Sequence, residues 1–189
     1  MTRANTARDG VRAATRGGLG RIAMLLVVAL AFGGAPPATR GAPASDVWTG
    51  TVTRVSDGDT LWVRPAEGGR PVKVRIEGID APEICQAGGR DARRALERRV
   101  LRRTVQLETV ARDDWGRRIA RVSLDGQDVG ERLVSEGHAW SDRYRDRPGP
   151  YAQQEQAARV ARRGLFAAPE PMLPRDFRRV HGACMQGRP

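Results

Sequence analysis

Residues 47–77 read VWTGTVTRVSDGDTLWVRPAEGGRPVKVRIE, and their patterning decides the fold class. Polar and apolar residues alternate from Val47 to Arg64 on both sides of the turn Ser56-Asp57-Gly58-Asp59-Thr60. Alternation is the period of a strand with one buried face. Asp57-Gly58 is a hairpin signal, because glycine takes positive φ without steric cost. Glu67-Gly68-Gly69 supplies a second turn. Beyond it Val72, Val74 and Ile76 share one face, and Lys73, Arg75 and Glu77 the other. Three strands in meander order are therefore expected first. Asp59 has the parity of Leu61 and Val63, which aims it into the mouth of whatever those strands enclose.

The pattern changes after Gly88-Gly89. Ala92, Ala95, Leu96 and Val100 recur at helical spacing, with arginines elsewhere, so a helix is expected over Asp91–Arg103. Val105–Val110 and Arg118–Leu124 read as a fourth and a fifth strand, joined by the hairpin DDWGR at 113–117. Val129–Glu136 is a short helix that Gly137 caps, and Tyr151–Arg163 a further one ended by Gly164. Beyond Pro169 the Pro-rich chain is expected to be extended. Five short strands, with a helix between the third and fourth, specify an α+β, mainly β fold. Its form is a five-stranded OB-type barrel with packed helices.

Upstream, residues 1–21 carry Arg3, Arg8, Arg12, Arg16 and Arg21 against Asp9 alone. Ile22–Phe32, IAMLLVVALAF, is an apolar run of eleven residues, too short to span a bilayer. Small and Pro-rich residues follow it. A basic region, a short apolar core and an A-x-A-like site read as a signal peptide over 1–44, cut after Ala44. A core helix and a retained anchor are the competing readings. The expected organisation is 1–44 signal peptide, 45–168 barrel domain with helices, and 169–189 extended tail. The expected location is exported, periplasmic or secreted, with membrane contact only in transit. Two cysteines in an oxidising compartment usually pair, so Cys85–Cys184 would tie the tail to the domain. The alternative is two free thiols, and spacing alone supplies no distance.

Composition narrows the chemistry. The chain has 189 residues, 40% of them hydrophobic, enough for a packed core, and a net charge of +11. Lys73 is the single lysine among 33 basic residues. Six of those bases and one of the 22 acids precede Ser45, which leaves 27 against 21 in the mature part. A polyanionic partner suits that balance modestly. Two histidines (His138 and His181) and two cysteines cannot build a zinc finger, a thiolate cluster or a three-histidine zinc site. A histidine pair without metal is a weak alternative, since nothing in the sequence brings the two together. Carboxylates, arginines and water must carry any reaction, and a hard cation such as calcium or magnesium suits carboxylates.

Three segments at strand ends concentrate such groups. They are Asp57-Gly58-Asp59-Thr60, the run from Arg75 through Asp80-Ala81-Pro82-Glu83, and Asp113-Asp114-Trp115-Gly116-Arg117. Cleaving a phosphodiester requires cations against the charge that grows on phosphorus oxygens, and a positioned, deprotonated water. Asp59 and Asp80 suit a divalent cation. Glu83 suits a water as general base, and Arg75 and Arg117 suit phosphate oxygens. Taken singly, each segment reads more simply as a turn or a solvated strand end. Together, D-G-D-T, R-x4-D-x-P-E and W-G-R in this order resemble the staphylococcal nuclease (thermonuclease) family over about Val47 to Phe166.

The resemblance implies an OB barrel with helices and low-specificity cleavage of DNA and RNA, leaving 3′-phosphate ends. It implies Ca2+ as cofactor, held by Asp59, Asp80 and the backbone carbonyl of Ala81. Glu83 would act on the attacking water as base or orienter, and Arg75 and Arg117 would stabilise the pentacoordinate phosphate. Trp115 stands where the family has a stacking aromatic before Gly-Arg. Tyr144 is taken as a second substrate contact, with Trp140 and Tyr151 as alternatives. The family prototype has Thr at the place of Ala81, so a hydroxyl is missing here while the carbonyl stays. The expected partners are DNA and RNA, with no stable protein partner and a monomeric chain. Two other classes remain: a non-catalytic OB module that binds nucleic acid, and a carboxylate-pair hydrolase of sugars.

Overall fold

The first strand, β1 (Asp46–Val55), is long enough to serve two neighbours. In the computed structural model, which describes residues 46–143, 147–182 and 184, its outer half pairs with one strand and its inner half with another. Asp46–Thr51 run antiparallel to β5 (Thr104–Arg112), and Gly50–Val55 antiparallel to β2 (Thr60–Pro65). β2 continues to β3 (Val72–Ile76), and β5 to β6 (Arg118–Leu124). A parallel pairing of β3 with β6, Arg75 against Ile119, closes these five strands into a barrel. Closure leaves no free edge among them. Two short pairings decorate it. β4 (Ile79–Asp80) meets β8 (Trp140–Ser141), and β7 (Gln127–Asp128) extends β6.

The alternating positions fill the barrel. Val52, Val55, Leu61, Val63, Val74, Ile76, Leu107 and Val122 are all buried. Each such side chain contributes about 1.5–3 kcal/mol over its exposed state. α1 (Gly89–Val100) covers one end and lays Ala92, Ala95, Leu96 and Val100 on this core. α2 (Val129–Ser135) is capped by the Asp128 carboxylate, which accepts the Glu131 N–H at 2.9 Å. α3 (Ala152–Val160) and a 3-10 turn (Gly164–Ala167) build a smaller core of Trp140, Ala158 and Phe166.

Three local expectations change. Gly58 does not take a positive φ. Its requirement is space, since a Cβ there would stand 2.7 Å from the Cβ atoms of both Ala81 and Ala92. α1 stops at Val100 instead of Arg103 because the next residues are captured by β1. There the Arg102 N–H donates to Val52 O at 2.9 Å and the Val52 N–H to Arg103 O at 3.0 Å, with Arg102 at φ 62. The tail 169–189 is not extended throughout: Pro174–His181 form a helix, α4. Pro174 suits its first turn, Asp176 follows there, and Arg178, Arg179 and His181 sit at its C-terminal end, in the order the helix dipole favours. Cys85 and Cys184 are bonded, with Cα atoms 5.8 Å apart. The signal-peptide reading of 1–44 lies outside the described residues, as does Tyr144.

Candidate active site

The start of β2, β3, the β4–α1 connection, the β5–β6 hairpin and α4 converge on one groove of about 660 Å³. Asp57, Asp59, Lys73, Arg75, Ala81, Glu83, Trp115, Arg117 and Arg178 are among its lining residues. The three sequence segments thus meet in space, although 16 and 42 residues separate Arg75 from Asp59 and from Arg117. Barrel closure does this. β3 pairs with β6, so Arg75 lies beside Ile119, and Arg117 stands two residues before Ile119 on the same side.

Asp59 is the inner anchor, only 4% exposed. Its Oδ1 accepts the Thr60 hydroxyl at 2.9 Å. Its Oδ2 accepts Arg75 Nη1 at 2.9 Å and the Ala81 N–H at 3.2 Å. The Asp57 carboxylate accepts the Asp59 N–H at 3.1 Å, which sets the turn. Arg75 bridges onward, and its Nη2 donates to Asp80 Oδ1 and to Ile79 O, both at 3.2 Å. Asp80 itself opens onto an adjoining cavity with Trp140 and Asp142, and reaches the groove through Arg75. Glu83 follows the Ala81-Pro82 turn, and its Oε1 accepts Arg178 Nη1 at 2.6 Å. Arg117 is held by its own hairpin, Nε donating to Asp113 Oδ2 at 2.6 Å. Its guanidinium lies 5.4 Å from the ring centroid of Trp115, which is 79% exposed at the rim.

Carboxylate charge is poorly accommodated here. Burial, reinforced by the adjacent Asp59, pushes the Asp57 carboxyl up to about 7. Burial and Asp59 also raise Asp80 above the usual carboxylate range, against the pull of Arg75. Burial works against the Arg75 charge, but Asp59 and Asp80 outweigh it and hold the guanidinium above its ordinary value. Crowded all-oxygen donors that resist joint ionisation are the chemistry that a hard divalent cation relieves. Asp59 and Asp80, joined through Arg75, supply the oxygen donors such an ion takes. Among the described residues no group of three or more Asp, Glu, His or Cys side chains is placed to hold a metal ion together, so a bound cation would complete its shell with carbonyls and water.

Four charged groove residues, Asp57, Lys73, Asp113 and Arg178, carry no role in the sequence reading. Asp57 reads from sequence as part of a turn, and only its place beside Asp59 hints at more. Arg178 had no signal, because its arrival depends on the tail folding back. His138 and His181 line one separate cavity of about 720 Å³ that shares no lining residue with the groove.

Comparison with known proteins agrees with this geometry. Residues 73–168 match the family described as staphylococcal nuclease homologue. An uncharacterized endonuclease of Haemophilus influenzae is 33% identical over 128 residues, covering 68% of this chain and 71% of that protein. An uncharacterized endonuclease of Escherichia coli O157:H7 is 36% identical over 128 residues, covering 66% and 81%. The probable staphylococcal-like nuclease CAN3 of rice is 33% identical over 110 residues, 58% of this chain. The chain spans only 29% of the length of that rice protein. With the closed barrel, the groove and these matches together, the chain belongs to the staphylococcal nuclease family.

Proposed function

We propose that the protein is an exported, calcium-dependent nuclease that hydrolyses phosphodiester bonds of DNA, RNA or both with little sequence preference. The observation that carries this reading is the meeting of Asp59, Glu83, Arg75 and Arg117 in one barrel-mouth groove, with Asp80 joined to it through Arg75. Four acids line the groove, Asp57, Asp59, Glu83 and Asp113, against Lys73, Arg75, Arg117 and Arg178. That balance is neutral, so a bound divalent cation would make the groove positive, as a polyanion requires. Asp59, Asp80 and the Ala81 carbonyl would hold calcium, which supplies Lewis-acid charge to a phosphate oxygen when bound.

The chain's own groups do the rest. Arg75 is fixed between two carboxylates, so its planar fork is already ordered before substrate arrives. Arg117 is fixed likewise by Asp113. Both therefore meet the charge growing on the phosphate oxygens with little reorganisation. Glu83 orients the attacking water and takes its proton. Trp115, exposed beside Arg117, offers a face on which a base stacks without regard to sequence. The basic N-terminal stretch and short apolar run support export, which also suits the Cys85–Cys184 bond.

Two substitutions test the roles. Glu83→Gln and Arg117→Ala each lower turnover on single-stranded DNA by about 10²–10⁴-fold while circular dichroism stays that of the parent. Parental rates in both would remove their assigned roles. Tight, salt-sensitive DNA binding by the parent chain with no products would favour a binding module instead.

A further inference from the structure

The tail docks on one short segment, Glu83 to Gln86, at three points. Gln86 Nε2 donates to Met172 O at 2.6 Å. Cys85 is bonded to Cys184, and its N–H donates to Cys184 Sγ at 3.1 Å. Arg178 Nη1 donates to Glu83 Oε1 at 2.6 Å, and its Nη2 lies 3.8 Å from Asp80 Oδ2. α4 so delivers a guanidinium to the groove that already holds Lys73, Arg75 and Arg117. The other arginines of α4, Arg175 and Arg179, do not line it, and Arg179 pairs with Asp176 at 3.2 Å.

Arg75 and Arg178 hold their carboxylates differently. The Arg75 side chain is 21% exposed, the Arg178 side chain 41%. An ion pair open to water is worth about 1 kcal/mol or less, so it exchanges readily. An arginine–phosphate contact is bidentate, charge-assisted and accompanied by counterion release.

We propose that Arg178 is a substrate-binding residue, brought to the groove by the disulfide-tied C-terminal helix. In the free protein it pairs with Glu83. When nucleic acid enters, it passes to a phosphate next to the scissile one and leaves Glu83 free for water. The inference rests on the nuclease reading for Glu83, but its binding part stands without it.

The test uses the full chain and a single-stranded DNA oligomer, with KM, kcat and the salt dependence of binding measured together. Arg178→Ala raises KM about tenfold and keeps kcat within about threefold, as expected for a lost binding contact. The slope of log affinity against log salt shrinks by about 0.7, one phosphate contact on a single strand. Arg178→Lys restores most of that slope. Cys85→Ser/Cys184→Ser reproduces the Arg178→Ala values, and adding Arg178→Ala to it changes nothing more. Unchanged KM and slope in Arg178→Ala would overturn the proposal. So would a rise in kcat at constant KM, which marks a blocking contact, or parental KM in the cysteine variant. If the parent chain binds but cleaves nothing, the nuclease reading falls and the slope alone still decides Arg178.

Discussion

Arg75 joins the structure to the proposed reaction in one side chain. It bonds two carboxylates and a backbone carbonyl, at 2.9 to 3.2 Å. Its removal takes the one cation from buried Asp59 and the nearer one from Asp80, so activity and stability are expected to fall together in an Arg75 variant. Trp115 is the opposite case: it is 79% exposed and supports nothing in the core. Trp115→Ala is therefore expected to raise KM on single-stranded DNA by about 5- to 100-fold, the worth of one stacked base. Steady-state kinetics with an unchanged melting temperature checks this, and an unchanged KM would remove Trp115 from the binding surface. Legibility follows the same division. Asp59, Arg75, Glu83 and Arg117 were readable because each sits in a short motif with fixed spacing. Arg178 was not, because what brings it to Glu83 is a contact across 95 residues of chain.

At the level of elements, strands were easier to read than ends. The alternation through Val47–Arg64 and Val72–Ile76 survives in the barrel because one face must be buried whatever else happens. The end of α1 depends on hydrogen bonds to Val52 O, which no local pattern announces. The prolines around α4 read as extended chain, although Pro174 opens the helix. The D-G-D-T segment does turn the chain, but its glycine is there for space and not for a positive φ. Gly58 is needed for the close approach of Ala81, which lines the groove, and Ala92, which opens α1. Gly58→Ala is expected to cost about 1–3 kcal/mol, the range for overpacking. Denaturant unfolding measures it, and a loss below about 0.5 kcal/mol, the level of a bland surface change, would contradict the close-packed account.

For the whole molecule, charge is less informative than placement. The formal +11 falls by nearly half once the residues before Ser45 are set aside. The groove itself is balanced, four acids against four bases. On the proposed function, attraction for a polyanion would then depend on an added cation more than on the arginine-rich surface. That makes cation dependence the direct test of the central claim. The full chain is incubated with single-stranded DNA in calcium, then in excess EGTA, then with calcium restored. The account predicts cleavage with calcium, loss of at least about two orders of magnitude of rate in EGTA, and recovery on restoration. Equal cleavage in calcium and EGTA, or none in either, would contradict it.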